Sequence, residues 1–201
     1  LNRVPKKNAL TSALYAELAD AIEAAVTDDT VRVLVIQGHE TVFSAGNDIA
    51  DFMQRPPQDD QAPVFRFLRA ISTCPKPVVA AVAGPAVGIG TTMLLHCDLI
   101  YAAPDARFIL PFVNLGLVPE AGSSLLAPAI LGHAKAAAML LLGEPITAKQ
   151  GLEWGFVNKI ADRDVLLDTA RDYARRLAAL PPEAVRQTKR LIRHGQKDIG
   201  G

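Results

Sequence analysis

Two glycine-bearing turns are the residues whose types and spacing best suit chemistry. Ala45-Gly46-Asn47 and Gly88-Ile89-Gly90 each set glycine beside backbone N–H groups where a helical pattern begins. Such N–H groups have no partner within the helix and carry the positive end of its dipole, so they can receive a developing negative charge. The same glycines read equally as the means of making tight turns. Gly88-Ile89-Gly90 is not a dinucleotide fingerprint, because Thr92 to Leu94 supplies no third glycine, and no glycine-rich phosphate loop ending in Gly-Lys-Ser/Thr occurs. Glu120, in Val118-Pro119-Glu120-Ala121, reads by itself as a first-turn helix carboxylate favoured by the dipole. Asp48 reads as the cap of a short helix or as a ligand contact. His39, His96, His133 and His194 show no metal spacing, so no metal site is expected, and Ser123 and Ser124 lack the context of a serine nucleophile. Glu144 sits in a turn before Pro145 and reads as solvated.

Composition narrows the class of partner. The chain has 201 residues, half of them apolar, and 21 Lys+Arg balance 21 Asp+Glu. A formal charge of zero argues against nucleic acid, whose binding rests on basic side chains neutralising phosphates. A local basic patch for a small anion remains open, with Arg3, Lys6 and Lys7 as candidates. The most apolar stretch, Pro77 to Leu95, is broken by Gly84, Pro85, Gly88 and Gly90, so no membrane span is expected. Cys74 and Cys97 match no metal or CxxC spacing and read as free thiols in a reducing, cytoplasmic compartment. The chain opens Leu-Asn-Arg without a signal-peptide pattern and reads as trimmed at its start.

The elements that must position these residues alternate between strand and helix. Leu14, Leu18, Ile22 and Val26 predict an amphipathic helix over 11–26, and Val31 to Gln37 a buried strand. A short helix follows Asp48, a polar loop runs from Pro56 to Pro63, and Val64 to Ile71 is helical. Val78 to Ala83 is a second apolar strand, with Gly84 to Gly90 a turn opening a helix over 91–97. Strands are expected at 99–102 and 108–110, then a loop at 114–124. From Leu125 the pattern is helical only: 134–142, 147–154, 164–180 and 182–194. Strands alternating with helices, then helices alone, indicate an α/β body with a helical tail.

Several ordered segments together resemble the crotonase superfamily, the enoyl-CoA hydratase/isomerase family. They are Pro5-Lys-Lys-Asn-Ala-Leu10, Phe43-Ser-Ala-Gly-Asn-Asp-Ile49, Lys76 to Gly90 with Cys97-Asp98, and Asn114-Leu-Gly-Leu-Val-Pro-Glu120. Gly143 to Ala148 and Gly155-Phe-Val157 extend the likeness over almost the whole chain. The resemblance implies a ClpP-like spiral of ββα units, placed at residues 1–143, and a helical C-terminal region at 144–201. By the same resemblance the chain is incomplete, with a strand expected before Leu1 and a further helix after Gly201, where Gly195, Gly200 and Gly201 suit a frayed boundary.

What the resemblance implies about chemistry is an oxyanion hole for an acyl-CoA thioester, made by the N–H groups of Ala45 and Ile89. Main-chain donors leave the side chain free to vary, so isoleucine is compatible there. Hydratases of the family carry two glutamates where this chain has Thr92 and Phe112, so hydration by two carboxylates is not expected. Glu120 instead resembles the glutamate of the Δ3,Δ2-enoyl-CoA isomerase branch, as do Ser44 to Asp48 and Pro111-Phe112. It is expected to carry a proton from C2 to C4, its pKa raised by Phe112, Leu115 and Leu117. Gly46, Asn47, Asp48, Ile49, Phe52, Gly88, Phe112 and Leu115 are expected around the substrate, with the acyl tail beyond Phe52 and Met53. The ADP part of coenzyme A is expected near Arg3 to Ala9, as part of the substrate and not as a separate cofactor. Asp98 is expected to be structural. The family usually assembles as trimers or pairs of trimers. Another acyl-CoA reaction, such as weak hydration or thioester hydrolysis, and a non-catalytic acyl-CoA-binding role are the rival readings.

Overall fold

Val78-Val-Ala-Ala-Val82 is buried at every position, as a strand covered on both faces must be. The computed structural model, which describes residues 1–195, places this strand at the centre of the molecule. In chain order the elements are α1 (Ser12–Thr27), β1 (Leu34–Gln37), α2 (Ile49–Gln54), α3 (Pro63–Thr73), β2 (Val78–Val82), β3 (Pro85–Val87) and α4 (Ile89–Thr92). There follow β4 (Leu99–Ala102), β5 (Arg107–Ile109), α5 (Ser123–Leu131), α6 (His133–Ala137), β6 (Ile146–Thr147), α7 (Ala148–Glu153), β7 (Lys159–Ile160), α8 (Arg163–Ala178) and α9 (Pro182–Gly195). Short 3-10 turns sit at Val4–Lys6, Met93–His96 and Val113–Leu115.

Two sheets form, one of four strands in the order β1-β2-β4-β7 and one of three in the order β3-β5-β6. The first is parallel throughout, with Leu34 opposite Val78, Val79 opposite Leu99 and Tyr101 opposite Lys159. In the second, β3 and β5 are parallel and β5 and β6 antiparallel. Each of β2 and β4 crosses within a few residues into the second sheet and then enters a helical segment, which is the expected ββα repeat. The crossing from β2 to β3 needs Gly84. Its φ is +64°, and a Cβ there would lie 2.0 Å from the carbonyl oxygen of Thr41. Gly84→Ala is therefore expected to destabilise the chain by more than about 2 kcal/mol, read as a lowered urea midpoint. An unchanged midpoint would contradict this account of the crossing.

The alternating faces of β2 bury into different layers. Val78, Ala80 and Val82 join Phe67, Met93, Leu94 and Phe108, while Val79 and Ala81 pack with Tyr101 under Leu166, Ala170 and Ala174 of α8. Lys189 of α9 is only 7% exposed and donates to Lys76 O at 2.7 Å and to Asp98 Oδ2 at 2.6 Å. Asp98 Oδ2 also accepts from Val78 N at 2.7 Å, so the aspartate is structural, tying α9 to the edge of β2.

The structure departs from expectation in four places, the first being β1, which begins only at Leu34 and is partly rather than fully buried along its length. The turn at 84–90 contains β3, a strand only because Ser44 and β5 pair with it. The region after 143, read as helices alone, contributes β6 and β7 to the two sheets, and Ile146, Phe156 and Val157 share the core of the preceding residues. On α1 the buried stripe is Tyr15, Ala19 and Ile22, with Leu14, Leu18 and Val26 only partly covered along its flanks. Gly200 and Gly201 lie outside the described residues.

Candidate active site

The two glycine turns are brought against each other. Ser44 bridges to Ala86, Val87 N donates to Ser44 O at 2.9 Å, and a Cβ on Gly90 would lie 2.9 Å from the Ser44 Cβ. Gly46, at φ +92°, faces Val87 so closely that a Cβ would stand 3.0 Å from its carbonyl oxygen. The first turn is buttressed by Asn8, a buried residue that sequence reasoning did not single out. Its φ of +54° is one that asparagine tolerates, its amide donates to Val42 O and Phe43 O, and Ser44 Oγ donates to Asn8 O.

This support changes which N–H is free. Ala45 N, expected to face the substrate, donates instead to Lys7 O at 2.9 Å. Two residues on, Asn47 N donates to no protein acceptor among the described residues, while its neighbours Leu10 N and Asp48 N complete the bridge around it. Ile89 N, at the first position of α4, is likewise without a protein acceptor. The available donor pair is therefore Asn47 and Ile89, with Ala45 engaged in holding the loop.

Glu120 lies three residues before the first residue of α5, so it is not a first-turn helix carboxylate. Its main-chain carbonyl accepts from Ser123 N at 2.9 Å and Ser123 Oγ at 2.6 Å. Its Oε1 accepts from the hydroxyl of fully buried Thr92 at 2.7 Å. Burial raises its pKa, and the Thr92 bond opposes that rise in part. Phe112 is in the core, whereas Leu115 is 63% and Leu117 56% exposed.

Tyr15 is the second residue that the sequence reading passed over. Its hydroxyl donates to Asn47 Oδ1, and its ring lies 5.6 Å from that of Phe67. Burial, and then the charge of Glu120, hold it protonated. Tyr15 and Asn47 line a cavity of about 250 Å³ with Phe52, Arg55, Pro57 and Val64. Gly46, Asp48, Ile49, Gly88, Phe112 and Leu115, expected beside the substrate, do not line it, nor do Glu120 and Ile89, and Ile49 and Met53 project from α2 as exposed apolar side chains. Asp48 caps α2, accepting from Asp51 N at 3.1 Å, and pairs with Arg3 at 2.7 Å. The cap bond, and then Arg3, hold its pKa down. Arg3 is thus spent on Asp48 and on Ala9 O, leaving Lys6 and Lys7 as the exposed cations of that loop. Among the described residues no three His, Cys, Asp or Glu side chains gather as a metal site, and no helix is long and apolar enough to cross a membrane.

Repeated ββα units carry two free N–H groups, on Asn47 and Ile89, and a partly buried carboxylate on Glu120, an α/β arrangement that comparison with known proteins assigns to a family. The profile of the family described as enoyl-CoA hydratase/isomerase matches residues 1–199. The chain is 37% identical to the 1,2-epoxyphenylacetyl-CoA isomerase of Escherichia coli, over 96% of this chain and 76% of that protein. It is also 37% identical to enoyl-CoA delta isomerase 2 of Rattus norvegicus, over 98% of this chain but 52% of that protein, about half its length. The solved structure of Pseudomonas aeruginosa OdaA superposes with a TM-score of 0.93 at 51% identity, over 97% of this chain and 79% of that one. The chain belongs to the enoyl-CoA hydratase/isomerase family and has the crotonase fold.

Proposed function

We propose that this chain moves the double bond of a 3-enoyl-CoA to the 2,3 position. The observation that carries the reading is one partly buried carboxylate, Glu120, held by Thr92, which stands where a two-glutamate hydratase has the first of its acids. The thioester oxygen accepts from Asn47 N and Ile89 N, which acidifies the C2 protons by stabilising the enolate. Thr92 occupies Oε1 of Glu120, leaving Oε2 to take a proton from C2. The electron pair passes through the dienolate, and neutral Glu120 returns the same proton to C4. No water is activated, so one carboxylate suffices. Coenzyme A enters as part of the substrate, with Lys6 and Lys7 the cations placed for its phosphates. We assign the assembly to trimers, or pairs of trimers, on the exposed Leu191 and Ile192 of α9, and the compartment to the cytoplasm.

The test is to give the chain medium-chain 3-enoyl-CoA and 2-enoyl-CoA in separate reactions. The expected result is growth of the conjugated 2-enoyl absorbance from the first and no 3-hydroxyacyl product from the second. Comparable hydration of the 2-enoyl thioester would replace this reading with a hydratase. Release of free coenzyme A would make it a thioesterase, and tight binding without turnover an acyl-CoA binder.

A further inference from the structure

We infer that His96 is a positioning residue that, together with Thr92, clamps the Glu120 loop at two points; the inference rests on Glu120 being the proton carrier. Thr92 and His96 stand one turn apart on the helical segment that follows Ile89. Thr92 Oγ1 holds the carboxylate of Glu120, and His96 Nε2 lies 2.9 Å from the carbonyl oxygen of the next residue, Ala121. A carbonyl only accepts, so Nε2 carries the proton. Burial favours the neutral ring, the bond to Ala121 O opposes it in part, and the nearby charges of Arg193 and Lys189 add to the effect of burial.

The loop has a reason to need a clamp. Ala121 sits at φ +54° and Gly122 at φ +67°, two successive left-handed residues directly after the carboxylate. Glycine adopts that region freely, whereas alanine is strained there, and such strain persists only where surrounding bonds over-determine it. Ser123 fixes the carbonyl before Ala121 and His96 fixes the carbonyl of Ala121 itself, so the strained residue is held on both sides. His96 is anchored in turn: its own carbonyl accepts from Arg193 Nη2 at 2.9 Å, and Arg193 Nη1 donates to Ser72 O at 2.6 Å. The clamp thus joins α9 and the end of α3 to the carboxylate of Glu120, with His96 acting on it through the main chain of Ala121.

Replacing His96 by leucine is expected to lower kcat about ten- to a hundredfold, because a carboxylate displaced by about an ångström loses its line to C2 and C4, while KM moves less than about twofold. His96→Gln, whose terminal amide stands where Nε2 does, is expected to recover most of the loss. His96→Asn is too short to reach Ala121 and is expected to behave as leucine does, which keeps the test open if the leucine variant fails to fold. In an Ala121→Gly background the loss on removing His96 is expected to shrink, since glycine relieves the strain that the clamp opposes. Wild-type kcat in both His96→Leu and His96→Asn, or an equal loss in the glutamine variant, would overturn the inference. A separate readout, the 13C resonance of the Glu120 carboxyl group, is expected to be single and sharp in the wild type and broadened without His96. If the wild type isomerises nothing, the proposed reaction fails and this resonance alone decides the clamp. If turnover depends on Glu120 but not on His96, the clamp fails and the reaction stands.

Discussion

Glu120→Gln is expected to lower kcat for 3-enoyl-CoA isomerisation by roughly 10²- to 10⁴-fold while leaving KM nearly unchanged. Glutamine keeps the shape of the side chain and still offers a carbonyl oxygen to Thr92 Oγ1, the bond that orients the carboxylate. What it removes is the group proposed to take a proton at C2 and give it back at C4. The free N–H groups of Asn47 and Ile89 remain, so the thioester contact proposed for them is expected to survive. Turnover of the glutamine variant within a fewfold of the wild type would dismiss Glu120 as the carrier.

The same substitution has a thermodynamic signature of opposite sign. Burial raises the pKa of Glu120 above its ordinary value, so the folded state binds the proton more tightly than the unfolded chain does. Stability from this group is therefore full below the unfolded carboxylate range and is lost as pH rises through the raised folded pKa. Glutamine is neutral throughout and escapes that loss. The Tm of Glu120→Gln is expected to exceed that of the wild type by a few degrees at about pH 8, the difference closing by about pH 4. A difference that grew toward acid pH would mean that the carboxylate is stabilised in its charged form by partners other than Thr92.

Local chemistry was legible in the sequence wherever a few consecutive residues determine it. The glycines at 46, 84 and 88 mark positive-φ positions, and the Val78 to Val82 run marks a strand buried on both faces. Pairing with distant residues was not legible. Ala45 was assigned an oxyanion role that Asn47 N is free to fill, because the partner that engages Ala45, Lys7 O, lies far back in the chain and no short pattern contains it. Pro85 to Val87 looks like part of a glycine turn and becomes a strand only through Ser44 and Arg107. Tyr15 was masked by the four-residue spacing of the leucines on α1, although the buried stripe is centred one position further round the helix. His96 sits among apolar residues, and its task is visible only once Ala121 is folded against it.

Ile89→Pro is expected to lower kcat by roughly 10²- to 10³-fold by deleting one oxyanion donor. Ile89 occupies the first position of α4, where proline is accommodated because its missing N–H has no helical partner to lose. The preceding residue is glycine at φ 54° and ψ −121°, the mirror image of the extended conformation that residues before proline adopt, so the ring meets no Cβ there. The side chain is 1% exposed, and its truncation carries a packing cost of its own. Ile89→Ala separates the two effects, since it opens a cavity but keeps the N–H. A large kcat loss in the proline variant and a small one in the alanine variant assigns the effect to the main-chain donor. Equal losses would place the effect in packing and overturn the role proposed for Ile89 N.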